Sequence, residues 1–469
     1  MRKLVLSFAL LLPLICDPLF VPERPVVSPA KLGELIVLTR NTPTTRYIDA
    51  DGQYRGLEHD LVELFAKDLG VKVHYVDRQP LYRILTSLQH HEAHLAAAGI
   101  AVTSSSLDEF QFAPSYQMTQ SVLAYNTDDG PPRSPADLVG ERIEVVKGSA
   151  SIEDLRVLRK RFPKLRWHEV AESDSEGLLA RLSEGKSDVV VTESHVLDVV
   201  RKFHPNIARA FSIGDPKPLA WVFPKGSDSS LIQRAEEFFL RITRDGTLAQ
   251  LLERYYGHSE RLDRLDIANF LERRLTVLPR YKRWFKEAQD VSGIDWRLLA
   301  ALGFQESHWD PLATSPTGVR GVMMLTEETA DRMKVQDRLE PRSNILAGAR
   351  YLAEIRDMLP DRIQEPDRTW LALAAYNQGF GHMEDGRILA QRKKMNPDLW
   401  SNVKRTLPLL SVYEHYSTVK HGFCRGGEAV ILTENIRAYY DILLRFEAPH
   451  VPSMRLLSTN GARVSGAVR

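Results

Sequence analysis

The sequence predicts a multidomain chain in which an α/β unit is followed by an all-α-rich one. Three observations carry this. At 469 residues the chain is too long for one core and calls for two or three compact units. Up to about Gly257, short apolar or alternating runs take turns with helically spaced leucines, the pattern of parallel α/β sheets. From about Leu265 the strand signal disappears, and alanine- and leucine-rich helical segments run to about Phe446.

The elements follow in order. Residues 35–39 form an apolar run of strand length, and Asp51-Gly52 marks a turn. Leu57, Leu61, Leu64 and Phe65 recur at helical spacing and stop at Gly70. Residues 71–76 alternate like a strand, and 142–146 and 188–192 are further strands between helical stretches. The charged segment 258–268 reads as a hinge, and 447–469, with two prolines and scattered serines and glycines, as a flexible tail. The two units are thus 31–257 and 269–446.

Residues 1–30 read as a signal peptide or signal anchor. Arg2 and Lys3 precede an apolar run at 4–15, which is short for a membrane span and right for a signal core. Cys16 is a candidate acylation site and Ser28-Pro29-Ala30 a candidate cleavage site. Export makes the only other cysteine, Cys424, a small buried thiol without an internal partner, so the cores must hold the fold.

Composition excludes some chemistry. A net charge of +1 gives no global basic field for nucleic acid. No phosphate-cradling glycine loop occurs, and no cofactor is called for. His90, His91 and His94 have weak metal spacing and read as a solvated helix face, so no metal site is expected.

In the second unit Asp295 is a suitable N-cap for a helix from Trp296 to about Asp310, with Pro311 as its stop. Leu299, Leu302 and Gly303 form its apolar stripe. Glu306, four residues after Leu302, projects from that stripe. A carboxyl there is desolvated, and its pKa rises toward the range of a general acid. A structural ion pair with an arginine is the alternative on spacing alone.

Gln305-Glu306-Ser307, then 313–321 (ATSPTGVRG), then Ala375-Tyr376-Asn377 resemble soluble-lytic-transglycosylase-type domains, which have a goose-type lysozyme fold. The double methionine of Gly321-Val322-Met323-Met324 is similar to the membrane-bound lytic transglycosylase F subgroup. This resemblance implies that Glu306 protonates the leaving glycosidic oxygen of peptidoglycan. The same group then takes the proton of the sugar's C6 hydroxyl, which closes on C1 to a 1,6-anhydromuramyl end without water. It implies that Tyr376 and Asn377 line the cleft, Tyr376 near the acid and Asn377 holding backbone. It also implies that Ser307 meets acetamido or neighbouring polar groups. Met323 and Met324 would floor the cleft, with core filling as their alternative. Relatives often carry a tyrosine near Leu432-Thr433, which Tyr439 and Tyr440 do not obviously replace.

In the first unit, 52–61 (GQYRGLEHDL), 112–116 (FAPSY), 145–149 (VVKGS) and the stretch from Asp245-Gly246 to Tyr256-Gly257 resemble amino-acid-type (family 3) periplasmic solute-binding proteins. The resemblance implies two α/β lobes around a cleft, with Glu58, Asp60, Thr103 and Glu193 as candidate ligand contacts. The arginine that relatives use to clamp a carboxylate is missing from 103–108, which makes free amino acids poor ligands. A muropeptide or its peptide stem is a reasonable ligand, in a regulatory role, with a structural or substrate-positioning lobe that binds nothing small as the alternative.

The expected function is therefore a periplasmic, membrane-associated peptidoglycan lytic transglycosylase on the inner face of the outer membrane. Two alternatives remain: a hydrolytic muramidase using Asp310 as second carboxylate, and a catalytically idle envelope sensor. Asp310 also reads simply as a residue bonding backbone before Pro311.

Overall fold

The computed structural model describes residues 26–48, 52–78, 80–226, 229–257 and 262–451. Most of the expected leader, with Cys16, and most of the expected tail lie outside the described residues.

Among the described residues the twelve strands, in chain order, are β1 Glu34–Thr39, β2 Tyr47–Ile48, β3 Tyr54–Arg55, β4 Lys72–Asp77, β5 Leu95–Ala96, β6 Phe110–Phe112, β7 Gln117–Asn126, β8 Ile143–Val146, β9 His168–Val170, β10 Val189–Glu193, β11 Ile207–Leu219 and β12 Val222–Pro224. Ten of them build two five-stranded sheets, β4-β1-β5-β12-β6 and β11-β7-β10-β8-β9, which define two lobes, and β2 and β3 pair as a two-stranded one. In the first, β1 lies between β4 and β5 and is parallel to both. Leu35 and Val37 pack on one face with Leu57, Leu61 and Phe65, while Leu38 packs on the other with Ile84 and Leu88. Both faces are covered, which is why the run is apolar rather than alternating. The helix Leu57–Leu69 ends at Gly70, whose positive φ of 71° closes the last turn.

The chain passes between the lobes twice, side by side. The Ala113 N–H donates to the Trp221 carbonyl at 3.0 Å and the Tyr116 N–H to that of Leu219 at 3.1 Å. Two adjacent crossings make a hinge about which the lobes can move. The lobes are closed here: Gly148 packs on Tyr82, the Lys147 ammonium lies 4.9 Å from the Tyr82 ring centroid, and the Ser105 hydroxyl donates to Glu153.

The second domain is helical. Its axis is Trp296–Ser307, in which every residue from Trp296 to Phe304 is buried. Such a helix is apolar all round because helices enclose it, chiefly Leu278–Ser292 and Gly426–Phe446. Cys424 is buried and free.

Three expectations need correction. The hinge is shorter than 258–268, because Asp263 caps a helix from Arg264 to Thr276. The tail starts later than 447. Glu447 is buried against Arg274 and Lys282, the Ala448 carbonyl accepts from Trp296 Nε1 at 3.2 Å, and His450 meets Gln289 and Asp290. His94 is buried rather than solvated, its Nδ1 accepting from Ile36 N–H at 2.8 Å while Nε2 bonds the Val27 carbonyl.

The domains meet through a buried ion network. Glu253, near the end of the first domain, accepts from Lys404 at 2.6 Å and Arg437 at 2.9 Å, and both cations also reach the fully buried Glu434. Beside it lies a cavity of about 1060 Å³, lined from the first domain by Asp60, Lys202 and Arg254 and from the second by Asp295, Trp370 and Arg437. Among the described residues no helix is long and apolar enough to cross a membrane, and no side-chain cluster could hold a metal.

Candidate active site

The helix carrying Glu306 ends sooner than its sequence predicts. His308 takes a left-handed φ of 53° and donates its N–H to the Phe304 carbonyl at 2.7 Å, so the helix stops at Ser307. The reason is Trp309: it turns inward, fully buried, its Nε1 donating to the Ala300 carbonyl at 2.8 Å. Large-ring burial decides the stop before Pro311 can act. Asp310 is consequently off the helix and exposed, and its Oδ1 accepts from the Leu312 N–H at 2.9 Å. That is the backbone-bonding role, not a second carboxylate facing the acid.

Glu306 sits half-buried in the last turn. It has no hydrogen-bond or ion-pair partner among the described residues, and burial alone raises its pKa from 4.5 to about 8. An unpaired carboxyl in such surroundings holds a proton at neutral pH and has nothing else to give it to.

The loop opposite is built by Gly321 and Asn344. Gly321 has φ +83°, and a Cβ there would lie 2.2 Å from the Arg338 carbonyl oxygen, so only glycine fits. Asn344, fully buried on the helix Pro341–Met358, accepts from Met323 N–H at 2.7 Å and donates to the carbonyls of Arg338 at 2.9 Å and Arg320 at 3.1 Å. Ser307 ties the acid's helix to this loop: its hydroxyl lies 2.9 Å from the Val322 carbonyl and 3.2 Å from that of Gly303. Of the two contacts expected of Ser307, the one with neighbouring polar groups is met by these backbone carbonyls, while its hydroxyl oxygen keeps its capacity to accept.

Tyr376 and Asn377 stand in the last turn of the helix Asp367–Gln378. The Tyr376 hydroxyl donates to the Met323 carbonyl at 2.7 Å. Burial first, then the neighbouring Glu306 and Tyr351, keep its phenol well above the ordinary range. Tyr376 therefore stands beside the acid and locks the loop facing it. Asn377 is exposed and its Oδ1 accepts from Gln378 Nε2 at 3.0 Å, so it does not hold backbone as expected. Met323 is fully buried, its sulfur 3.4 Å from where a Gly303 Cβ would stand; it fills core and cannot floor the cleft. Met324, half-buried at φ 47°, remains available to a sugar face.

Sequence reasoning passed over Asn344 and Tyr351. A carboxamide beside Ile345 and Leu346 on an alanine-rich helix was the available signal for the first. Tyr351, whose ring lies 5.3 Å from that of Tyr376, carried none. Tyr439 packs between Phe270 and Phe304 and Tyr440 bonds Asp295, so neither replaces the tyrosine missing near Leu432-Thr433.

The first domain's candidates scatter. Glu58 is buried, accepting from the Gly99 N–H at 3.0 Å and from the Tyr116 hydroxyl. Asp60 accepts from Tyr255 at 2.7 Å and Arg254 at 3.2 Å and faces the cavity between the domains, not the cleft between the lobes. Thr103 caps the helix Ser104–Glu109 in a capping box with Ser106. Glu193, at the end of β10, accepts from Ser175 at 3.2 Å.

Residues 283–398 match the family described as Transglycosylase SLT domain, and residues 35–258 that of Bacterial extracellular solute-binding proteins, family 3. The chain is 50% identical over 428 residues to a protein of Nitrosospira multiformis named Membrane-bound lytic murein transglycosylase F, covering 91% of this chain and 89% of that one. A protein of the same name from Methylobacillus flagellatus is 43% identical over 467 residues, 98% of each chain. Among solved structures, an ancestral arginine-binding protein bound to arginine aligns with a TM-score of 0.44 at 23% identity, over 48% of this chain and 98% of its own.

Proposed function

Because the chain belongs to the family of membrane-bound lytic murein transglycosylase F proteins, we propose that Glu306 is the group with which it cuts peptidoglycan. The protein is a periplasmic, membrane-associated lytic transglycosylase, a lyase that leaves anhydro-muropeptides. The observation that carries the assignment is the unpaired carboxyl of Glu306, held protonated near neutral pH by burial.

In the proposed reaction neutral Glu306 gives its proton to the glycosidic oxygen between MurNAc and GlcNAc as the C1–O bond breaks. The carboxylate so formed takes the proton of the muramyl C6 hydroxyl, and that oxygen bonds C1. Atoms balance without water, and one group serves as acid and then base. Tyr376, Ser307 and Asn344 set the loop at 320–325 against it, and Met324 offers a polarizable contact to the sugar. A hydrolytic route would need a second carboxylate to hold water, and Asp310 is engaged with backbone. The catalytic unit is assigned to 264–450.

The two-lobed unit is assigned a regulatory role with a muropeptide, through its peptide stem, as ligand. Its family match, its closable lobes and its covalent joining to a glycan-cutting domain support this.

Digestion of purified sacculi by the protein and by Glu306→Gln, with released muropeptides weighed, tests the catalytic assignment. Products one water lighter than hydrolysed ones, lost in the variant, are expected. Hydrated reducing ends, or full activity in the variant, would overturn it.

A further inference from the structure

Arg40 follows directly on β1, at the carboxyl edge of the parallel part of the first lobe's sheet, where ligands of open α/β sheets sit. It is only 7% exposed. Its Nε–H and one Nη2–H donate to the Ala98 carbonyl at 3.0 and 2.6 Å. A guanidinium has five N–H donors, and the other three have no hydrogen-bond partner among the described residues. A buried cation with most of its fork unanswered is costly unless something else completes it.

Its surroundings do not neutralise it. Glu58, a carboxyl that feels its charge, is bonded to the Gly99 N–H and the Tyr116 hydroxyl, and burial lifts it to about 7 against the pull of those bonds and of Arg40. His195, from the second lobe, is driven to about 3 by burial and then by the Arg40 charge, so it is neutral. Its Nδ1 is engaged with the Thr119 hydroxyl at 2.8 Å. The two lobes meet at this point: a Cβ on Gly99 would lie 3.4 Å from Arg40 Nη2 and 3.8 Å from His195 Nε2. In the second lobe, in the loop after β8, the Ser149 hydroxyl is buried without a partner. Each lobe thus carries an unanswered polar group just past the carboxyl end of one of its strands.

We infer that Arg40 is the carboxylate anchor of the solute-binding unit, gripping a free carboxylate of a peptide in place of the arginine absent from residues 103–108. The inference rests on the peptide-stem reading above and adds which group recognises which end of the ligand. The planar fork, already oriented by two bonds to one carbonyl, offers its remaining edge for two parallel bonds to a carboxylate. The Ser149 hydroxyl supplies a donor from the opposite lobe, so that ligand contact couples to lobe closure.

Isothermal titration of the full chain with the stem tripeptide L-Ala-γ-D-Glu-diaminopimelate, as free acid and with its terminal carboxyls amidated, tests this. The free acid is expected to bind about 10- to 100-fold more tightly than the amide. That preference should shrink severalfold in Arg40→Lys, which keeps the charge but not the fork, and vanish in Arg40→Met. Where Arg40→Met melts early, Arg40→Lys and the amide comparison carry the test. Binding of the free acid with undiminished preference in the variants would overturn the anchor while leaving the peptide reading standing. No binding of either peptide to the unaltered chain would overturn both.

Discussion

Glu306 and Glu58 both leave a helix into apolar surroundings, and burial raises both carboxyls far above their ordinary value, to about 8 and about 7. Their settings differ in one respect. Glu58 is held by a backbone N–H and a phenol and faces Arg40, whereas Glu306 has no hydrogen-bond or ion-pair partner among the described residues. Both oxygens of Glu58 are already taken as acceptors in a network that ties a helix to the lobe junction. The Glu306 proton is free to move to a substrate. A raised pKa therefore marks desolvation, and what separates a structural acid from a reactive one is whether its hydrogen-bonding capacity is already used.

The largest effect should come from the free acid. Glu306→Gln is expected to lower anhydro-muropeptide release by roughly 10²–10⁴-fold while circular dichroism stays unchanged. A drop of less than tenfold would place the reactive proton elsewhere and dissolve the contrast. For the bound acid the effect should fall on stability. Glu58→Ala removes the acceptor of the Gly99 N–H and the Tyr116 hydroxyl and leaves a void, at a cost of about 2–4 kcal/mol. Urea unfolding of the first domain reads this, and a loss below about 1 kcal/mol would mean the network is slack.

A smaller effect links pH to the free acid. Its folded pKa lies above the unfolded one, so its neutral form stabilises the fold fully below about pH 4.5. That contribution is lost as pH rises through about 8. Relative to Glu306→Gln, which stays neutral, the protein should lose on the order of 1–3 kcal/mol between pH 5 and 8.5, partial solvent access at the helix end limiting the size. Turnover should fall over the same upper limb. Parallel melting curves for protein and variant across that range would refute the proposed desolvation. Smallest of all, Tyr376→Phe deletes one hydrogen bond to the Met323 carbonyl and should cost about 1 kcal/mol in melting experiments. A larger drop in activity than in stability would show that the loop's exact placement matters to the acid.

Much of this was legible before folding. Glu306 announces itself because a carboxyl four residues after Leu302 cannot leave the helix without passing the core. The strands at 35–39 and 71–76 and the stop at Gly70 are set by side-chain period and by a glycine that tolerates positive φ. Such features depend on neighbours within one or two turns, which a sequence displays directly.

What it does not display is which distant group claims each polar atom. The spacing that singles out Met323 cannot tell a cleft floor from a core, and the fold seats it against Gly303 and Gly348. Asp310 sits one turn past the acid on a helical projection, yet the burial of Trp309 ends the helix first and turns Asp310 onto backbone. Asp60 and Glu58, two residues apart, diverge to the cavity between domains and to the junction between lobes. Local period thus determined the elements and put Glu306 on the core-facing stripe, while the motifs around it, not spacing alone, marked it as the acid. Only the tertiary structure decided the partners, because partner choice is settled by groups tens to hundreds of residues away competing for the same hydrogen bonds.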